Sequence, residues 1–259
     1  MDLGISGRRA LVTAASKGLG RGVAEALAAA GVDLVINARG GEALNAAARE
    51  IAARHGVKVN AVVGDITEPE TRAQVLAAAG AVDILVTNAG GPPPGHWQTW
   101  SRDDFLRAID ANMLTPVALM QACLPGMIER GWGRVVNITS AAVKSPIAEL
   151  GLSNTARAGL TGFVAGTARQ VARNGVTINN LLPGLHATDR ATALDAGAAA
   201  RDGITPAEAA ARRAAGIPAG RYGTPAEFGA ACAFLCSAHA GYIVGQNILL
   251  DGGAFNATF

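Results

Sequence analysis

Short β-branched apolar runs alternate with Ala-rich stretches of helical period along nearly the whole 259-residue chain, and few folds accept that alternation. A strand, a crossover helix and a second strand running the same way make one βαβ unit, and repeating it builds a parallel sheet flanked by helices. The runs predict seven strands, near 8–13 (RRALVT), 33–38 (DLVINA), 58–63 (KVNAVV), 83–87 (DILVT), 133–139 (GRVVNIT), 176–181 (VTINNL) and 247–250 (NILL). Helical patterns fill 18–30, 42–55, 69–79, 102–129, 150–174 and 225–238. Thr224-Pro225-Ala226-Glu227 opens the last with an N-cap, an N1 proline and an acidic first turn. Half of the residues are apolar, enough to fill one core, and no linker or repeat is visible. The reading is therefore one doubly wound α/β domain over residues 1–259.

Charge narrows the partners. Lys plus Arg number 22 against 20 Asp plus Glu, with no block of like charge, so the expectation is a small-molecule substrate rather than nucleic acid or a membrane surface. The N-terminus has no basic start followed by an apolar core, and no apolar run of about 18 residues is apparent. A soluble, cytoplasmic protein is expected. The cysteines, Cys123, Cys232 and Cys236, lack a metal-type spacing and read as reduced core thiols, so no metal site is expected.

Two stretches break the rhythm, the Gly/Pro-rich 90–95 and the long segment 184–223. Both follow strands at their carboxyl ends, where open α/β sheets bind ligands. They read as loops over a site, with 184–223 as a substrate lid that its Ala-rich composition lets be helical.

Directly after the first strand, Thr13-Ala14-Ala15-Ser16-Lys17-Gly18-Leu19-Gly20 opens a helix. Glycine lets backbone approach phosphate there, and a helix N-terminus supplies N–H groups and positive dipole. The second strand ends in Ala38 and Arg39, where an NAD site has an acid for the ribose 2′-OH. Arg39 offers a planar fork to a 2′-phosphate and Lys17 a second charge, so the pair favours NADP(H) over NAD(H).

With these residues in place, the chain resembles the short-chain dehydrogenase/reductases, in particular β-ketoacyl carrier-protein reductases, over almost its whole length. The motifs come in the family's order: Thr13 to Gly20, Asp65, Asn88-Ala89-Gly90, Asn112, Ser140, Pro183-Gly184-x-x-x-Thr188, Gly245-Gln246 and Asp251-Gly252-Gly253. The resemblance implies a Rossmann fold in which Thr13 and Ser16 to Gly20 meet the cofactor, Asp65 and Ile66 hold adenine, and Asn88 to Gly90 line the groove. Pro183, Gly184 and Thr188 would position the nicotinamide, and Asn112 would belong to the catalytic set. Position 14, a glycine in the family, is Ala here, which costs about 1 kcal/mol if that residue takes positive φ.

The pattern fails at its centre. In the family a Ser polarises the substrate carbonyl, a Tyr thirteen residues on passes the proton, and a Lys one turn later lowers the Tyr pKa and binds ribose. Here the positions hold Ser140, Ser153 and Arg157. An aliphatic hydroxyl ionises far too weakly to replace a phenol of pKa about 10, and a guanidinium, which stays protonated, does not relay protons, although Arg157 keeps a positive charge and donors for the cofactor's ribose. His186, near the expected nicotinamide site, Glu149, one turn before Ser153, and His96 are the candidate substitutes, with a water held by Ser140 and Ser153 as the remaining option.

Three functions stay open: an NADP(H)-dependent oxidoreductase acting on a carbonyl, imine or enone; a nonredox lyase, dehydratase or isomerase; and a cofactor-binding protein without turnover. The resemblance also implies a homotetramer or homodimer, with Leu160, Phe163 and Val164 and then Phe228, Phe234 and Leu235 as apolar contact surface. Tyr242 is placed in the packed C-terminal part.

Overall fold

The computed structural model describes residues 1–258, and these form seven strands: β1 (Arg9–Thr13), β2 (Asp33–Ala38), β3 (Val59–Val63), β4 (Ile84–Thr87), β5 (Gly133–Ile138), β6 (Val176–Pro183) and β7 (Asn247–Leu250). Every neighbouring pair runs parallel, in the order β3-β2-β1-β4-β5-β6-β7. The chain steps outward from β1 to β3 and then crosses to the other side of β1 for β4. The strand order therefore reverses between β1 and β4, and a crevice opens beyond their carboxyl ends. β4 and β5 are buried along their whole length, as central parallel strands covered on both faces must be. This is a Rossmann-like α/β fold.

One apolar layer packs α1 (Gly18–Ala29), α2 (Gly41–His55) and α9 (Pro225–Leu235) on the sheet; the other packs α3 (Pro69–Ala79), α5 (Thr115–Glu129) and α6 (Gly151–Val171). α1 and α9 touch backbone to backbone, since a Cβ on Gly229 would lie 2.1 Å from the Gly22 carbonyl oxygen.

The expected helix over 102–129 is interrupted. α4 (Arg102–Ile109) passes through a π-helical turn, Asp110–Leu114, before α5 begins. Pro116 has no N–H to return to the Asn112 carbonyl, and the ladder widens so that the Thr115 N–H bonds the Asp110 oxygen. The combined run, Arg102–Glu129, is by length and composition long and apolar enough to cross a membrane, although polar and charged residues such as Asp110, Asn112 and Gln121 interrupt its apolar sequence. In this fold α5 lies against β4, β5, β6 and α6.

Within 184–223 the chain forms α7 (Asp189–Asp202) and α8 (Pro206–Ala215). Thr188 caps α7, and Thr205 with Glu208 makes a capping box on α8.

The proposed contact surface needs correction. Leu160, Val164, Phe228 and Leu235 are buried inside the subunit and Phe163 packs against the core, which leaves Phe234, 40 % exposed, facing out. Phe228 and Phe234 are six residues apart, about 240° round a helix, so they cannot share a face. Tyr242 is fully exposed rather than packed.

Candidate active site

Two adjoining cavities lie along the carboxyl edge of the sheet, one of about 540 Å³ and one of about 920 Å³, and they share the wall made by Ala14, Lys17 and Asn88 to Gly91. That wall follows from the switch point, because Ala14 continues β1 and Asn88 continues β4. The Thr13 hydroxyl ties the two together, donating to the Asn88 carbonyl at 2.7 Å and accepting the Asn88 N–H at 2.8 Å. Thr13 is thus 1 % exposed and lines neither cavity, so the structure corrects its expected place at the cofactor to one behind the turn. Gly20 is corrected in the same way: a Cβ there would sit 2.3 Å from the Ala14 oxygen, so it serves close packing of the turn.

Ala14 takes φ +49°, and no other non-glycine residue among those described has positive φ. Gly18, at φ +58°, turns the chain into α1, whose N-cap residue Lys17 provides no side-chain cap. The first-turn N–H groups of α1 are therefore left for a ligand.

The larger cavity is lined by Ser16, Arg39, Asp65, Ile66 and Asn112. Arg39 is 79 % exposed and stands 3.9 Å from the Asp65 carboxylate, a contact of little strength in water. The Asp65 carboxyl is held below its ordinary pKa, chiefly by the Thr67 backbone N–H. Arg39 is thus an exposed, weakly held fork at the rim, beside the end of β2. Asn112 is buried; its Nδ2 donates to the Ala108 carbonyl at 3.3 Å, and its Oδ1 has no protein partner.

The smaller cavity brings together Gly18, Leu19, Ser140, Ser153, Arg157, Pro183, Gly184, His186 and Thr188. Ser140 caps a short 3-10 turn after β5, its Oγ accepting the Ala142 N–H at 3.1 Å. Arg157, 7 % exposed, donates from Nε to Ser153 Oγ at 3.2 Å and from one terminal nitrogen to the Ile138 carbonyl at 2.8 Å. Its other terminal nitrogen faces the Ala89 carbonyl at 3.4 Å. Burial and the nearby Arg190 charge bring the Arg157 pKa down to about 10, lower than expected from the sequence yet still a cation at neutral pH. Each serine oxygen thus accepts from a protein N–H, which leaves its own O–H free to donate into the cavity.

The proposed substitutes for Tyr fare differently. His186 is buried, its ring edge-on to Phe228 with centroids 5.3 Å apart and Nδ1 3.3 Å from the Gly184 oxygen. Burial lowers its pKa, so the ring is neutral at pH 7. Glu149 is exposed and lines neither cavity, because Ala148–Leu150 is a separate 3-10 turn and α6 starts only at Gly151. Helical spacing from Ser153 does not extend back to it. His96 is exposed beside Trp97. Tyr222, not among these candidates, spends its hydroxyl on Asp195 at 2.8 Å.

One residue went unread in the sequence. Arg190, in the first turn of α7, lines the smaller cavity and reaches the Gly91 and Pro92 carbonyls at 3.2 and 3.4 Å. The available signal was a cation at a helix N-terminus, where the dipole disfavours it.

Fold and cleft define a doubly wound α/β protein with a nucleotide-type groove at its switch point. The family model described as enoyl-(acyl carrier protein) reductase matches residues 13–254. A 3-oxoacyl-(acyl-carrier-protein) reductase of Aquifex aeolicus is 32% identical over 98% of this chain and 100% of its own length. A gluconate 5-dehydrogenase of Gluconobacter oxydans is 33% identical over 96% of this chain and 95% of its own length. Among solved structures, L-sorbose reductase from Gluconobacter frateurii, complexed with NADPH and L-sorbose, aligns with TM-score 0.94 at 29% identity. That alignment covers 99% of this chain and 100% of the other. The chain belongs to the short-chain dehydrogenase/reductase family, and within it resembles the 3-oxoacyl carrier-protein reductases.

Proposed function

We propose that the protein is an NADP(H)-dependent reductase of a carbonyl, imine or enone, working without the family's phenol. The observation that carries this reading is the pair of hydroxyls, Ser140 and Ser153, on the wall of a cavity that adjoins the Gly-rich turn, with the Arg157 cation buried behind Ser153. The residues present fit the cofactor. The uncapped start of α1 suits phosphate, Arg39 at the rim suits a 2′-phosphate, and no acid stands at position 38. The similar L-sorbose reductase is complexed with NADPH.

Bound there, NADPH supplies a hydride to the substrate. The chain's part is to hold the substrate's carbonyl oxygen, or the nitrogen of an imine, and to stabilise the charge that grows on it. Ser140 and Ser153 donate to that atom from one side, and Arg157, pinned by two carbonyls, adds fixed positive charge behind them. Neither serine ionises near neutral pH, and Arg157 stays protonated, so the proton comes from water that the two hydroxyls orient. General acid–base catalysis is worth about 10²- to 10⁴-fold, and without it the reaction is slow.

A second reading, a cofactor-binding protein without turnover, is favoured by the same lack of an acid–base group, since His186 is committed to packing. Following NADPH oxidation with a panel of ketones, imines and enones separates the two. The reductase reading predicts slow oxidation with some member, lost in Ser140→Ala. Oxidation with none of them supports the second reading. We take the protein as cytoplasmic and as a homotetramer or homodimer, with Phe234 and Tyr242 among the exposed apolar side chains suited to a contact.

A further inference from the structure

We propose that Asp189 and Arg190 form a strap across the dinucleotide groove, in which the Arg190 guanidinium holds the cofactor's diphosphate and so couples cofactor binding to closure of the lid. The proposal rests on the NADP(H) reading and adds to it a residue outside the family motifs quoted above.

The two residues begin α7, the first lid helix, and they grip opposite banks of the groove. Asp189 accepts from Lys17 Nζ in the Gly-rich turn at 2.7 Å. Arg190 reaches the other way, to the carbonyls of Gly91 and Pro92 in the loop after β4. A Cβ on Gly91 would lie 2.7 Å from Arg190 Nη1, so glycine there lets the guanidinium settle against the backbone.

The crossing falls where the cavities meet. Arg190 lines the cavity that holds Ser140, Pro92 lines the one that holds Arg39, and Lys17 and Gly91 line both. A dinucleotide with its adenosine in one cavity and its nicotinamide in the other passes its diphosphate through this junction.

Charge points the same way. The hydrogen bonds of Arg190 go to carbonyl oxygens, and among the described residues no carboxylate compensates its charge. Arg157 feels that charge, since Arg190 helps lower its pKa. Among the described residues the carboxylates at this cavity are spoken for: Asp189 by Lys17, and Asp251 by the Gly253 and Phe255 N–H groups. Two guanidiniums beside one junction, one of them in a helix first turn against the dipole, suit a polyanion between them. A diphosphate held by Arg190 adds a tether to those that already hold α7 across the groove, so that bound cofactor firms the closed lid.

The test compares the full-length wild type with Arg190→Ala and Arg190→Lys in titrations of NADPH, NADH and 2′-AMP, with subtilisin cleavage within 184–223 as a second readout. The strap predicts that Arg190→Ala weakens NADPH and NADH alike by about ten-fold, leaves 2′-AMP unchanged, and removes the protection that NADPH gives the lid. Arg190→Lys recovers part of the loss. Arg190 is exposed, and an unchanged thermal midpoint of the unliganded variants shows that they fold. Wild-type binding with unaltered dinucleotide affinity in Arg190→Ala overturns the strap alone, and a raised KM for an acidic substrate then assigns Arg190 to the substrate. Equal weakening of 2′-AMP also overturns it. A wild type that binds neither dinucleotide removes the NADP(H) reading, and the strap with it.

Discussion

Arg157 donates its Nε–H to the Ser153 hydroxyl at 3.2 Å, one turn away on α6. The bond sets the direction of the serine: its oxygen is occupied by the guanidinium, so its proton points elsewhere, and the cavity is the open side. A cation that cannot shuttle protons and a hydroxyl that cannot ionise are thereby arranged as a fixed electrostatic pair. Restoring the family chemistry tests this arrangement. The double variant Ser153→Tyr/Arg157→Lys should raise kcat by about 10²- to 10⁴-fold on any substrate the wild type turns over, with NADPH affinity changed little. Steady-state kinetics read both, and an unchanged or lower kcat counts against a missing proton relay.

Ala14 stores strain at φ +49°. Ala14→Gly should stabilise the protein by about 1 kcal/mol, seen as a rise in Tm of about 2–4 °C. The companion Gly20→Ala drives a Cβ to 2.3 Å from the Ala14 oxygen and should distort the turn, lowering both Tm and NADPH affinity. Differential scanning fluorimetry with and without NADPH measures both.

Much of this fold was legible because central parallel strands are covered on both faces and so read as apolar runs, as Ile84-Leu85-Val86 in β4 does; β6 is buried almost as fully although Thr177, Asn179 and Asn180 interrupt its run. The turn after β1 was equally plain from Gly18 and Gly20. The sequence said less about direction. α9 is apolar nearly all round, so which of Phe228 and Phe234 faces inward depends on the packing of Gly22 against Gly229, a contact between distant segments. The break before Gly151 that turns Glu149 away, and the reach of Arg190 across the groove, are tertiary in the same sense. Pro116 did carry a local sign of the π-helical turn at Asn112.

His186 supplies a pH prediction. Burial lowers its pKa from an ordinary value near about 6.5. Above that pH both folded and unfolded states hold it neutral. As pH falls below it, the unfolded state takes up the proton first, and stability drops. His186→Gln should lose less stability than wild type between about pH 7.5 and 5.5 in urea titrations. Because the proposed mechanism takes its proton from water, the pH–rate profile should show no inflection that disappears with this substitution.

Arg39 is the exposed fork at the end of β2. Arg39→Asp should weaken NADPH by at least about ten-fold, as the carboxylate repels a 2′-phosphate, while NADH changes far less. Equal effects on the two cofactors would remove Arg39 from their discrimination.

Titration of the full-length protein with NADPH and then NADH, by calorimetry and by thermal shift, reaches furthest into the account. Saturable binding of NADPH, tighter than that of NADH and raising Tm, is the predicted result. No heat and no stabilisation with either nucleotide would contradict the groove itself, and with it every role assigned along its walls.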